Sequence, residues 1–212
     1  MSVGHDDVVS ADAFGECAQF FDRGFTPFDD VKLRPANERC LANPGQLPVT
    51  MPIPPGDSRT LKIIQTEDYV VIFGEYATAL RIIPLTSEFP ENPWPFWRGV
   101  SIGKWEDNKL VIHSKHFRPE LSHWRLPASG SLEVVEELEL LGAQKLLYRY
   151  TFTDPEVFTE PFTAELPLQK MAADEYIYES ACHEGNYALR GVLAGARRAD
   201  VDAEFNTEPT QP

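Results

Sequence analysis

Basic side chains are scarce in this 212-residue sequence, which has 19 lysines and arginines, 33 acidic residues and a formal net charge of −14. Such a surface repels phosphate backbones and anionic lipids, so we expect neither a nucleic-acid partner nor binding to a membrane surface. No stretch approaches the ~20 consecutive apolar residues that a membrane-spanning helix needs. The N-terminus lacks a basic start followed by an apolar run, so no leader is predicted.

Cysteines are also few, because only Cys17, Cys40 and Cys182 are present and no two of them form a Cys-x-x-Cys pair. We therefore expect neither a disulfide framework nor a zinc knuckle, and we predict a cytoplasmic protein. The sequence has no Gly-x-Ser-x-Gly elbow, no glycine-rich phosphate loop and no His-Glu-x-x-His helix. The sequence therefore carries no motif typical of an α/β-hydrolase, a nucleotide-binding protein or a zinc peptidase.

Runs of β-branched and aromatic residues are abundant after residue 60. The stretch "TLKIIQTEDYVVIFGEYATALRIIPL" predicts three strands with turns at "TED" and "YAT". The stretch "SIGKWEDNKLVIHSKHF" predicts a hairpin around Asp107 and Asn108, which pairs Ser101 with Ser114. Further strands are expected in "SLEVVEELEL", "KLLYRYTF" and "EYIYESACH".

The pattern predicts an all-β fold, an antiparallel barrel of about eight to nine strands with short N- and C-terminal helices. Asn186 is expected to cap the C-terminal helix. We expect one domain over residues 1–200. Its predicted parts are an N-terminal helix and proline-rich covering segment (1–60), the barrel (61–184) and the C-terminal helix (186–198), followed by a disordered tail (201–212).

Histidines cluster on and after the predicted hairpin, in "HSKHFRPELSH". On a regular strand His113 and His116 point to opposite faces, which argues against a three-histidine metal site with His123. No metal is therefore predicted. One of the histidines is instead expected in the interior, where an imidazole can transfer protons near neutral pH.

A second group of reactive side chains occurs in "SACHEGNY", where Cys182, His183 and Glu184 adjoin. Strand ends line the mouth of a barrel, so His183 is a candidate acid or base with Glu184 as its partner. The alternative is that Glu184 caps the helix and His183 bonds a backbone carbonyl. A Cys182–His183 nucleophile pair is disfavoured, because neighbours on a strand point apart.

Charged residues also stand within apolar strands. A buried charge costs several kcal/mol unless it is paired, so Glu75 and Arg81 should face solvent, meet each other or meet a ligand. Only one of Glu136 and Glu137 can face inward by alternation. The candidate ligand-binding residues are Arg81, Trp97, Ser101, Trp105, Glu136 and Tyr178.

Several motifs together resemble a family of bacterial β-rich proteins whose chemistry is largely uncharacterised. The matching segments are "IIQTEDYVVIFGEY", "RII", "SIGKWEDNKLVI", "VVEELEL", "DPEVFTEPF" and "ESACHEGNYALRGVLAGAR". Family members usually have "SIGRWEGDTLVVDT.GF", so His113 stands in place of an aspartate and His116 in place of a glycine. Many members are exported. The resemblance implies a lipocalin- or calycin-like barrel, and the Gly103-x-Trp105 pair is similar to the opening strand motif of lipocalins.

These patterns favour a cofactor-independent enzyme that acts by proton transfer on a hydrophobic or aromatic small molecule inside the barrel. It would be a lyase, isomerase, cyclase or hydratase. The candidate catalytic residues are His113, His116, Glu75 and His183. The alternatives are a non-catalytic, lipocalin-like binding protein and a structural domain with a filled barrel. A homodimer is left open.

Overall fold

The computed structural model describes residues 23–24, 26–36, 38–41, 60–75, 79–119, 128–179 and 181–207. The predicted N-terminal helix, most of the proline-rich segment, the "YAT" turn and His123 lie outside these residues. Within the described ranges, no helix is long and apolar enough to cross a membrane.

Eight strands form two antiparallel sheets. The first sheet has the order β1 (Leu61–Gln65), β2 (Tyr69–Gly74) and β3 (Ala79–Pro84). The second has the order β4 (Val100–Glu106), β5 (Lys109–Lys115), β6 (Glu133–Gly142), β7 (Lys145–Thr153) and β8 (Phe162–Gln169). The mostly β prediction is thus confirmed. In the described part of the chain β1 and β8 do not pair with each other, so a closed barrel stays a prediction.

The hairpin has the predicted register. Trp105 pairs with Leu110 and Ser101 pairs with Ser114, and Asp107 in the turn has a φ of 50°. The three strands around "TED" are also confirmed. Local turn chemistry explains this success, because a two-residue loop fixes the pairing of both strands.

The last predicted strand is wrong. "EYIYESACH" forms no strand in the residues described there, and Tyr178 is 69% exposed. The eighth strand is instead Phe162–Gln169, in which Ala164, Leu166 and Leu168 are half-buried on one face. Pro167 obscured this pattern, but a proline is tolerated on an outer strand such as β8.

Both sheets share one apolar core. It includes Val70, Ile72 and Ile83 from the first sheet and Ile112, Val134, Tyr148 and Phe152 from the second. Gly103 brings the two sheets together, because a Cβ at this position would lie 3.1 Å from Cγ2 of Ile83. Strands of both sheets therefore direct their buried residues to the same interior.

The C-terminal helix, α1, covers Tyr187–Thr207. Asn186 caps it, since its Oδ1 accepts a hydrogen bond from the Leu189 N–H at 3.4 Å. The expectation of a disordered tail from residue 201 is wrong as far as Thr207. Arg198 and Asp202, which pair at 2.8 Å across one helical turn, support this continuation.

Cys40 and Cys182 form a disulfide across 142 residues, a single bond that the sequence patterns, which argue against a disulfide framework, do not predict. The bond also removes Cys182 as a candidate nucleophile. Beside it, the Asn186 side-chain amide donates to the Glu38 carbonyl at 2.7 Å. The stretch "SACHEGNY" thus fastens an N-terminal segment to the start of α1.

Candidate functional site

A polar cluster crosses the apolar interior. Arg81 is 7% exposed and Glu136 is 0% exposed, and their side chains form a two-pronged ion pair with N···O distances of 2.8 and 2.5 Å. The Arg81 Nη2 also donates to Ser101 Oγ at 3.1 Å and to Ser114 Oγ at 3.0 Å. The Tyr148 hydroxyl donates to Glu136 Oε1 at 2.9 Å. Five strands, β3 to β7, therefore each contribute one member.

Strand alternation places these side chains together. Residues two apart on a strand share a face, so Arg81 points inward with Ile83, as Ser114 does with Ile112. On β6 the inward residue is Glu136, whereas Glu137 faces outward and pairs with Arg149 at 2.8 Å. Of the predicted ligand-binding residues, Arg81, Ser101 and Glu136 are thus brought together.

A second arginine, Arg98, lies beside this cluster and was missed in the sequence. Burial and the positive charge of Arg81 lower the pKa of Arg98 to about 10. The pKa of Arg81 is instead raised. Burial acts to lower this pKa, but the negative charge and the hydrogen bonds of Glu136 outweigh the effect of burial. The Arg81 Nε and the Arg98 Nη1 are buried and have no hydrogen-bond partner among the residues that the structure describes.

The charge around the two arginines is therefore unbalanced. Among the described residues the buried carboxylates are Glu136 and Asp154. Asp154 serves a different turn, where it accepts hydrogen bonds from the backbone N–H and the hydroxyl of Ser129 at 2.6 and 2.8 Å. Among the described residues Glu136 is the carboxylate that pairs with Arg81, and the charge that acts on Arg98 is the positive charge of Arg81. An uncompensated buried charge of this kind is strongly unfavourable.

The backbone around Arg98 is fixed by a close approach. Gly99 has a φ of 64°, and a Cβ there would lie 2.8 Å from the Lys115 carbonyl oxygen and 2.8 Å from Phe117 Cε1. Only glycine fits this site without displacement of a neighbour. Trp97, which precedes Arg98, is half-buried against the core, and the Arg118 guanidinium lies 4.7 Å from the centre of its ring. The core thus holds the Trp97 side chain next to Arg98 in the chain.

The predicted catalytic histidines lie elsewhere. His113 is half-buried, and its Nε2 lies 2.9 Å from Oε2 of Glu133. Strand β5 ends at Lys115 and His116 has a φ of 60°, so alternation no longer applies there. Both imidazoles consequently contact Phe89, with ring centres 5.2 and 6.1 Å away. The opposite-face expectation holds only for a regular strand, and that condition ends at Lys115; both histidines are half-buried.

The remaining candidates do not join the cluster. Glu75 accepts a hydrogen bond from the Tyr178 N–H at 3.0 Å. Trp105 and His183 are exposed. In the part of the chain that the structure describes, no three His, Cys, Asp or Glu side chains gather where a metal ion fits.

Comparison of the chain with protein-family models, curated proteins and solved structures finds no match. The resemblance to a bacterial β-rich family therefore stays a hypothesis. The chemistry of the site rests on its own residues, of which Arg81, Arg98 and Trp97 are the most distinctive.

Proposed function

We propose that the protein binds a small molecule with an aromatic body and an anionic group, and that Arg98 and Arg81 hold that group. The observation that carries this proposal is a pair of buried guanidinium donors, Arg81 Nε and Arg98 Nη1, for which no described residue supplies an acceptor. A carboxylate supplies both the missing acceptor oxygens and the missing negative charge.

The chemistry of arginine supports an oxyanion. Its planar guanidinium remains protonated at neutral pH and matches the geometry of carboxylates and phosphates. Trp97, next to Arg98 and packed on the core, offers an aromatic wall for the body of the ligand. Charged groups held in an unfavourable environment are common at functional sites.

Binding without turnover is the function that this geometry favours. The titratable partners within the cluster are engaged with each other, since Glu136 accepts from both Arg81 and Tyr148. No histidine of the described residues joins them. The lipocalin-like, non-catalytic alternative therefore becomes the leading proposal.

A comparison of acids with their amides tests this function. We expect benzoate, phenylacetate and longer aryl carboxylates to raise the melting temperature in thermal-shift assays, because a ligand that binds only the folded state stabilises it. The matching carboxamides keep the same body without the charge and should give little or no shift. Equal shifts from acids and amides would refute the role of the arginines.

A second candidate function, proton transfer, is favoured by the His113–Glu133 pair, in which a carboxylate orients an imidazole. On this proposal His113→Gln lowers kcat for the natural substrate by about 10²–10⁴-fold. The melting temperature should stay nearly unchanged, because both side chains are partly exposed. If His113→Gln and the wild-type protein turn over the substrate at the same rate, the proton-transfer proposal is wrong.

The disulfide bears on the compartment. Structural disulfides persist in oxidising compartments and are rare in the cytosol. The Cys40–Cys182 bond therefore supports an extracytoplasmic location for the functional protein, in place of the predicted cytoplasmic one.

A further inference from the structure

A groove of about 640 Å³ lies between the outer strands of the two sheets. One wall comes from β1, and the other comes from β8 and the turn between β6 and β7. Its floor is apolar, because Leu146, Leu166 and Leu168 line it and also pack against the core. At its rim Ile63 is 39% exposed and Leu140 is 65% exposed.

The charge of this groove is opposite to that of the protein. Its lining includes Lys62, Lys145 and Lys170 but no acidic residue, although the chain has 33 acidic side chains against 19 basic ones. None of the three lysines forms an ion pair with a described residue, whereas Lys104 and Lys109 each pair with a glutamate. The rim thus carries positive charge that no described residue neutralises through an ion pair.

The edges of the groove disfavour an added peptide strand. Pro167 in β8 has no backbone N–H, and both lysine and proline on outer strands oppose strand addition. The volume instead lies in the range of small-molecule sites, about 300–1,000 Å³. An aliphatic chain against leucine side chains and an anionic end near lysines would satisfy both features of the lining.

We infer that this groove binds a single-chain amphiphile with an anionic headgroup, such as a long-chain carboxylate. Its chain lies along Leu146, Leu166 and Leu168, and its headgroup lies among the rim lysines. The groove shares no residue with the Arg81–Arg98 site, so this inference is independent of the proposed function.

Calorimetric titration of the full chain with octanoate, decanoate and dodecanoate tests the inference. Each added CH₂ should tighten Kd by up to about fourfold, as burial of aliphatic surface predicts. Reversal of the rim charge in Lys62→Glu/Lys145→Glu/Lys170→Glu should weaken dodecanoate binding roughly tenfold. The matched control, Lys32→Glu/Lys104→Glu/Lys109→Glu, has the same net charge and should change Kd by less than about twofold.

Two further variants separate the contributions to binding. Leu140→Gln replaces an exposed apolar side chain of the groove and should also weaken dodecanoate binding. Arg98→Met should leave dodecanoate binding unchanged. Any of three results would overturn the inference: a Kd independent of chain length, equal losses in the two lysine triples, or a loss confined to Arg98→Met. Displacement of dodecanoate by an extended acidic peptide would assign the groove to a different occupant and would also overturn it.

Discussion

Glu136→Gln should lower the free energy of unfolding by about 3–5 kcal/mol, the usual effect of removing one partner from a buried ion pair. Glu136 is 0% exposed and accepts hydrogen bonds from Arg81 and Tyr148. The substitution leaves Arg81 buried and Arg98 half-buried beside it, and no other described carboxylate pairs with Arg81. Urea denaturation followed by circular dichroism measures this loss.

Two controls sharpen this measurement. Glu137→Gln alters the outward neighbour on the same strand and should change stability by less than about 1 kcal/mol, the usual limit for exposed pairs. The double substitution Arg81→Met/Glu136→Leu should recover much of the loss, since apolar replacements of buried pairs are tolerated. If Glu136→Gln and Glu137→Gln have equal effects, Glu136 does not balance a buried charge.

Arg98→Met should have the opposite effect on stability and should also abolish the binding of aryl carboxylates. An apolar side chain of similar length removes a half-buried charge and its buried donor, which we expect to stabilise the fold by about 1 kcal/mol, the lower end of the cost of a buried donor without an acceptor. The acid-specific rise in melting temperature should vanish in the same variant. A gain in stability with a loss of binding is the signature of a residue retained for function.

The matched control for this substitution is Arg149→Met, which removes an arginine on the outer face that already pairs with Glu137 and Glu165. It should bring no gain in stability and leave acid binding intact. In the wild-type protein, binding should also weaken as the pH rises through about 10, where Arg98 loses its proton. If Arg98→Met destabilises the protein, the charge of Arg98 supports the fold and the proposal is wrong.

The sequence predicts local features of this fold well. The Asp107–Asn108 hairpin follows from turn chemistry and alternation within fifteen or so residues. The energetic cost of burying a charge also indicates that Arg81 needs a partner. That partner, Glu136, is 55 positions away, and only the packing of the two sheets identifies it. The Cys40–Cys182 bond spans an even longer separation and is invisible to spacing rules.

Arg98 illustrates a different limit. In "ENPWPFWRGV" it reads as an ordinary loop residue, because proline and tryptophan surround it and no periodic pattern gives it a face. Its burial depends on Gly99, whose backbone approaches Lys115 and Phe117 more closely than any other residue type permits. That approach exists only after β5 and the preceding loop have come together.

Crystals grown with 4-bromobenzoate would test the central claim most directly, since anomalous scattering locates the bromine. The account predicts a bromine peak beside Trp97, with the carboxylate accepting hydrogen bonds from Arg98 Nη1 and Arg81 Nε. Bromine found only in the groove between β1 and β8, or no bound acid at saturating concentration, would contradict it.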